Sequence, residues 1–174
     1  MAALSTSRRA TAGIVFIIAG ALLLLSMLLP YLGVALPWVI LLAYAAIAVG
    51  LVIVALGAVN NTLAKVALFA SAVGWALLAL ASAGMALPGI LITIATLVAG
   101  IGGLVGAIVL YVGKEITNTA ALAFIAATAL GLLFLLGAAG TITLGAMGTL
   151  ITVLFGLALV VTGVLFRSRQ RSRR

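Results

Sequence analysis

Three stretches without a single charged side chain, residues 10–64, 66–113 and 116–166, take up almost the whole chain. Each is about fifty residues long. A helix needs ~20 apolar residues, rising 1.5 Å each, to cross ~30 Å of hydrocarbon. A fifty-residue stretch is thus too long for one crossing and right for two with a turn between them. Lipid offers no hydrogen-bond partner to the backbone, so each crossing must be helical or part of a closed barrel. Each stretch is expected to be a helical hairpin, and the chain an all-α polytopic transmembrane bundle of six helices, three hairpins running in the same sense.

Helix-breaking residues fall near the middle of each stretch: Pro30, Pro37 and Trp38 in the first, Gly84, Pro88 and Gly89 in the second, Gly137, Gly140, Thr141 and Thr143 in the third. These turns place the spans at about 11–29, 38–59, 63–83, 89–112, 119–136 and 144–166. The first span follows a basic start but is long enough to cross, and is read as a helix rather than a cleaved leader. Residues 1–174 then form one transmembrane domain, with a short basic N-terminus at 1–10 and a basic tail at 167–174.

In a six-span arrangement Arg8 and Arg9, Lys65, Lys114 with Glu115, and Arg167, Arg169, Arg171, Arg173 and Arg174 all fall on one side, and the opposite loops carry no charge. By the positive-inside rule that side is the cytoplasm, which puts both termini there and the protein in a cell's inner membrane. Tyr31 and Trp38 are expected at the outer interface, and Tyr111 and Phe166 at the inner one. The five tail arginines are candidates for contact with anionic lipid, at ~1 kcal/mol per basic residue near the surface. A net charge of +8 would suggest nucleic acid in a soluble protein; here topology accounts for it, and no nucleic-acid partner is expected.

The side chains that carry most chemistry are nearly absent. With no His, no Cys and Glu115 as the sole acid, no set of zinc, haem or iron–sulfur ligands exists and no cofactor is expected. Glu115, read as lying in a loop beside Lys114, is the one general base, so an enzyme is not expected. No ionisable group lies deep in a span, which argues against proton-coupled or ion-coupled transport. The hydroxyls in the spans, Ser26, Ser71, Ser82, Thr93, Thr96, Thr128, Thr149, Thr152 and Thr162, can bond back to their own helices. A path lined by Thr93, Thr96, Thr149 and Thr152 for a small neutral solute is the functional alternative. Tyr44 and Trp75 are read as packing residues near mid-span.

Small residues recur at helical spacing: Ala95, Ala99, Gly103 and Ala107 with Gly102 and Gly106 beside them, then Ala123, Ala127 and Gly131, then Gly148, Thr152 and Gly156. Such stripes let backbones approach, either within the chain or against a second copy or another membrane protein. The cluster at 100–106 is the expected closest crossing, which ranks Gly103→Leu as more damaging than Gly50→Leu or Gly163→Leu. Aligning Asn61 and Thr62 with Asn118 and Thr119 also superposes Gly74 on Gly131, a hint that the hairpins repeat about an axis along the membrane normal.

Six spans as three same-sense hairpins, with Arg8 and Arg9 before the first, Gly20 within it, Pro30 at its outer end and Gly50 in the return helix, resemble the HdeD-like (DUF308) bacterial membrane proteins. The third hairpin departs from that pattern in lacking a turn proline. The resemblance implies an inner-membrane protein linked in some bacteria to acid stress, with no catalytic or binding residue to carry over. The expected function is a non-enzymatic integral membrane protein that acts by packing or partner interaction in the lipid bilayer; the alternative is a small transporter or channel for a neutral or weakly charged solute.

Overall fold

The structure is a computed structural model and describes residues 6–34, 36–58, 61–145 and 147–168. It holds six long helices: α1 (Thr6–Leu28), α2 (Pro37–Gly57), α3 (Thr62–Ser82), α4 (Gly89–Val112), α5 (Asn118–Ala138) and α6 (Met147–Ser168). All six are long and apolar enough to cross a membrane, and no strand occurs among the described residues. The chain is an all-α, multi-pass membrane protein.

Local chemistry sets the helix ends. A single 3-10 turn over Leu29–Leu32 continues α1 and stops at Gly33, whose φ of 70° a side chain would resist. Pro37 opens α2 in its first turn, where its missing N–H costs nothing. Asn61 caps α3 by accepting a hydrogen bond from the Ala64 N–H at 3.2 Å.

Each helix packs on its neighbours in chain order and α6 returns to close on α1, so the six form a ring; no other pair makes more than a marginal contact. Helices spaced ~8–10 Å apart in a regular ring leave opposite axes roughly 16–20 Å apart. Only large side chains fill that centre, and five of the six phenylalanines, with Tyr44 and Trp75, stand in it. The ring is also pinched on opposite sides, because α1·α6 and α3·α4 make the most extensive contacts.

Both pinches use small residues seven apart on antiparallel helices. A β-carbon on Gly13 would lie 2.6 Å from the Gly163 carbonyl oxygen, and one on Gly20 2.5 Å from that of Gly156. Across α3 and α4, a β-carbon on Gly74 would lie 2.6 Å from the Ala95 carbonyl oxygen, and one on Gly102 2.8 Å from that of Ala67. Backbones that meet this closely gain dispersion and weak C–H···O contacts, which replace the hydrophobic drive that lipid removes. Large apolar residues accordingly turn outward toward lipid: Ile14, Ile18 and Leu25 on α1, Leu63, Val66, Val73 and Leu80 on α3.

Candidate functional site

Two aromatic clusters divide the bundle axis. Toward the end that carries the basic residues, Phe16, Phe124 and Phe166 form a triangle with ring centroids 5.7, 6.0 and 5.8 Å apart. Toward the other end Tyr44, Trp75, Phe155 and Phe134 close a loop of four rings with successive separations of 5.2, 5.9, 5.7 and 6.3 Å. These are the tilted, edge-on and offset arrangements that aromatic quadrupoles favour. Phe166 was expected in an aromatic belt at the interface; it is buried instead, because α6 extends to Ser168 and carries that residue inward against Phe16.

Between the clusters lies a cavity of about 20 Å³ to which all six helices contribute, Ser71, Gly103 and Thr128 among them. That is room for about one water. Ser71 makes the one side-chain hydrogen bond in the described bundle that ties two spans at mid-depth, its Oγ donating to the Ala99 carbonyl on α4 at 2.6 Å. The other span hydroxyls mostly bond to their own helix: Thr96 to Ile92, Thr128 to Phe124, Thr152 to Gly148 and Thr162 to Ala158, at 2.7–3.0 Å. Thr93 and Thr149 are exposed, so the four threonines named as a path do not line one.

The small-residue stripes face the chain's own helices. Ala99 is buried against Gly74, and Gly102 meets the backbone of α3. Gly103 faces the small cavity, where an added β-carbon would meet Ser71 Oγ at 3.1 Å rather than a backbone. A β-carbon on Gly106 would meet the Leu68 side chain at 2.6 Å and one on Gly131 the Phe155 ring at 3.0 Å, while Ala127 lines the cavity and Ala123 is half-buried. Gly156 packs on Leu24 and Gly20, whereas Gly148 and Thr152 border a wider cavity of about 570 Å³ at the end opposite the basic residues. That cavity lies between α5 and α6 and ends on Phe134. The expected order of crossings is corrected: Gly163, whose β-carbon would strike the Gly13 carbonyl oxygen and lie 2.9 Å from Ile17 N, sits in a tighter contact than Gly103. The residues missed, Gly13, Gly20 and Gly163, follow a seven-residue spacing that a search at four residues passes over.

At the basic end, Arg8 donates to the Leu56 carbonyl at 2.5 Å and Arg9 Nε to the Phe166 carbonyl at 3.2 Å. The two arginines thus cap the C-termini of α2 and α6, where carbonyls and the helix dipole favour a cation. Arg167 is exposed on the last turn of α6, and Arg169, Arg171, Arg173 and Arg174 lie outside the described residues. Glu115 lies in the loop after α4, beside Lys114, yet it is only 9% exposed, and burial pushes its carboxyl above the usual range. Comparison of the chain with protein-family models, with curated proteins and with solved structures finds no match.

Proposed function

We propose that the chain is a non-enzymatic protein of a bacterial cytoplasmic membrane, HdeD-like in type, with both termini in the cytoplasm, acting through contacts of its outer surface with a second copy or a membrane partner in response to membrane stress. The observation that carries this is the filled axis: two aromatic clusters flank a cavity the size of one water, and most hydroxyls along the described spans bond to backbone carbonyls. With room for only about one water on the axis between those clusters among the described residues, the lipid-facing and end surfaces are left for work. The family reading draws on the hairpin order and on Arg8, Arg9, Gly20, Pro30 and Gly50 at the positions named above.

The transport reading draws on one observation, the 570 Å³ cavity between α5 and α6, which falls within the ~300–1,000 Å³ of small-molecule sites. It stops at Phe134 and Thr152 and favours a neutral solute, since no charged group lines it. Extraction in mild detergent, cross-linking and mass spectrometry test the preferred reading. A stoichiometric second copy or membrane protein is expected; a monomer that retains nothing while conducting a solute would overturn it.

A further inference from the structure

The chain's only acid stands where a helix stop would ordinarily place an apolar residue. After α4 the Lys114 N–H donates to the Tyr111 carbonyl at 3.0 Å and the Glu115 N–H to the Leu110 carbonyl at 3.2 Å. This is the paired Schellman stop, which folds its last residue back against the helix, here against buried Leu110. The stop needs a left-handed residue, and Lys114 supplies it with φ of 53°, the one non-glycine with positive φ among the described residues. Gly113 directly before it keeps a right-handed φ of −71°. The turn therefore carries a backbone strain that a glycine would not, and that register turns Glu115 inward.

Turned in, one carboxyl oxygen finds no compensation. Its Oε2 is buried without a hydrogen-bond partner, and no described residue forms an ion pair with it. The Asn61 amide, which is neutral, stands at the same turn: a β-carbon on Gly113 would lie 3.4 Å from Asn61 Nδ2 and 3.7 Å from Glu115 Cγ. The charged side chains at this end, Arg8, Arg9 and Arg167 on α1 and α6, Lys65 on α3 and Lys114 on the turn itself, are all cations, and Arg8 and Arg9 are spent on helix ends. An unpaired carboxylate is costly in such a place, whereas a carboxylic acid is tolerated. A strained turn and an unsatisfied buried group at one position are the pattern of a functional site.

We propose that Glu115 is a proton-binding site at the corner between α4 and α5, held as the neutral acid when the turn is packed and driven outward when a rise in pH ionises it. The sign follows from linkage. Burial makes the folded state hold its proton to a higher pH than the unfolded chain does, so stability is full below the ordinary glutamate range and falls as pH rises through the folded value. The chain has no His, no Cys and no second acid to share this titration with Glu115.

The purified protein in detergent, melted at steps from about pH 5 to pH 9, tests this against Glu115→Gln, which mimics the protonated acid. The wild type is expected to lose melting temperature as pH rises, and Glu115→Gln to stay flat and to melt higher than the wild type at the alkaline end. Dicyclohexylcarbodiimide, which attacks protonated carboxyls in apolar surroundings, should add once to the wild type, at Glu115 by peptide mapping, and less as pH rises. A flat wild-type profile, or a chain that gains no adduct at acid pH, overturns the proposal. Should Glu115→Gln fail to fold, the labelling of the wild type decides alone.

Discussion

Replacing Gly163 by alanine puts one methyl group where α1 and α6 touch through their backbones. The new β-carbon would strike the Gly13 carbonyl oxygen and come within 2.7 Å of Ile17 Cγ1 and 2.9 Å of Ile17 N. Neither the carbonyl nor the amide can swing aside, so the helices must part. Overpacking of this kind costs ~1–3 kcal/mol, and separation also loosens the Gly20–Gly156 contact one heptad away. Alanine returns ~1 kcal/mol of helix propensity, which leaves a net loss of up to ~2 kcal/mol. At ~2–4 °C per kcal/mol that is a fall of up to ~8 °C in melting temperature. Gly103→Ala adds its methyl beside the cavity, with Ser71 Oγ at 3.1 Å and Thr128 Cγ2 at 3.4 Å, and should be nearly neutral. Gly148→Ala meets only Leu144 Cβ at 3.7 Å and should be neutral or slightly stabilising. Thermal unfolding of the three variants in one detergent, checked by monodisperse elution, gives the order. If Gly163→Ala melts with the wild type while Gly103→Ala falls, the backbone crossing of α1 and α6 is refuted.

Other outcomes follow from single contacts. Ser71→Ala removes the hydroxyl bonded to the Ala99 carbonyl and should lower stability by ~0.6–1.7 kcal/mol, whereas Ser82→Ala, which loses only a bond within its own helix, should be close to neutral in the same melting assay. Lys114→Gly relieves a positive φ and should raise stability by about 1 kcal/mol, read as a higher melting temperature at fixed pH. Reporter fusions after Arg174 and at Asn61 should report cytoplasm and those at Leu36, Gly84 and Gly140 the exterior, and neutralising Arg8 and Arg9 should leave that orientation in place, because the remaining basic residues favour the same side.

The six helices were legible because an uncharged stretch of fifty residues has few alternatives in a bilayer. Their ends were less so, since a helix need not stop where the hydrocarbon does: α1 already begins at Thr6, and its two arginines reach neighbouring helix ends rather than merely marking a side. At α6 the expected start at 144 falls instead in a turn, where Leu144 packs against Gly137 and Gly145 adopts φ of 50°. Closure of α6 onto α1 left a mark in the sequence, the glycines at 13, 20, 156 and 163, but the partners lie far apart in the chain, Gly13 with Gly163 and Gly20 with Gly156, and spacing within one helix does not name the other. The aromatic column was hidden for a related reason: a phenylalanine at the end of a span reads equally as interface or core until a ring of six fixes which way it points. The loop position of Glu115 was legible, but its burial was not, because that depends on Lys114 rather than Gly113 taking the left-handed conformation.

The filled axis is tested most directly by solute flux. Protein reconstituted into vesicles and mixed rapidly with glycerol or a hyperosmotic sugar should swell or shrink at the rate of empty vesicles, at any protein density, because the rings of Phe16, Phe124 and Phe166 on one side and Trp75 and Phe155 on the other leave space for a single water. A rate that climbs with the amount of protein, for water or for glycerol, would contradict the account and hand the cavity between α5 and α6 the role of an entrance.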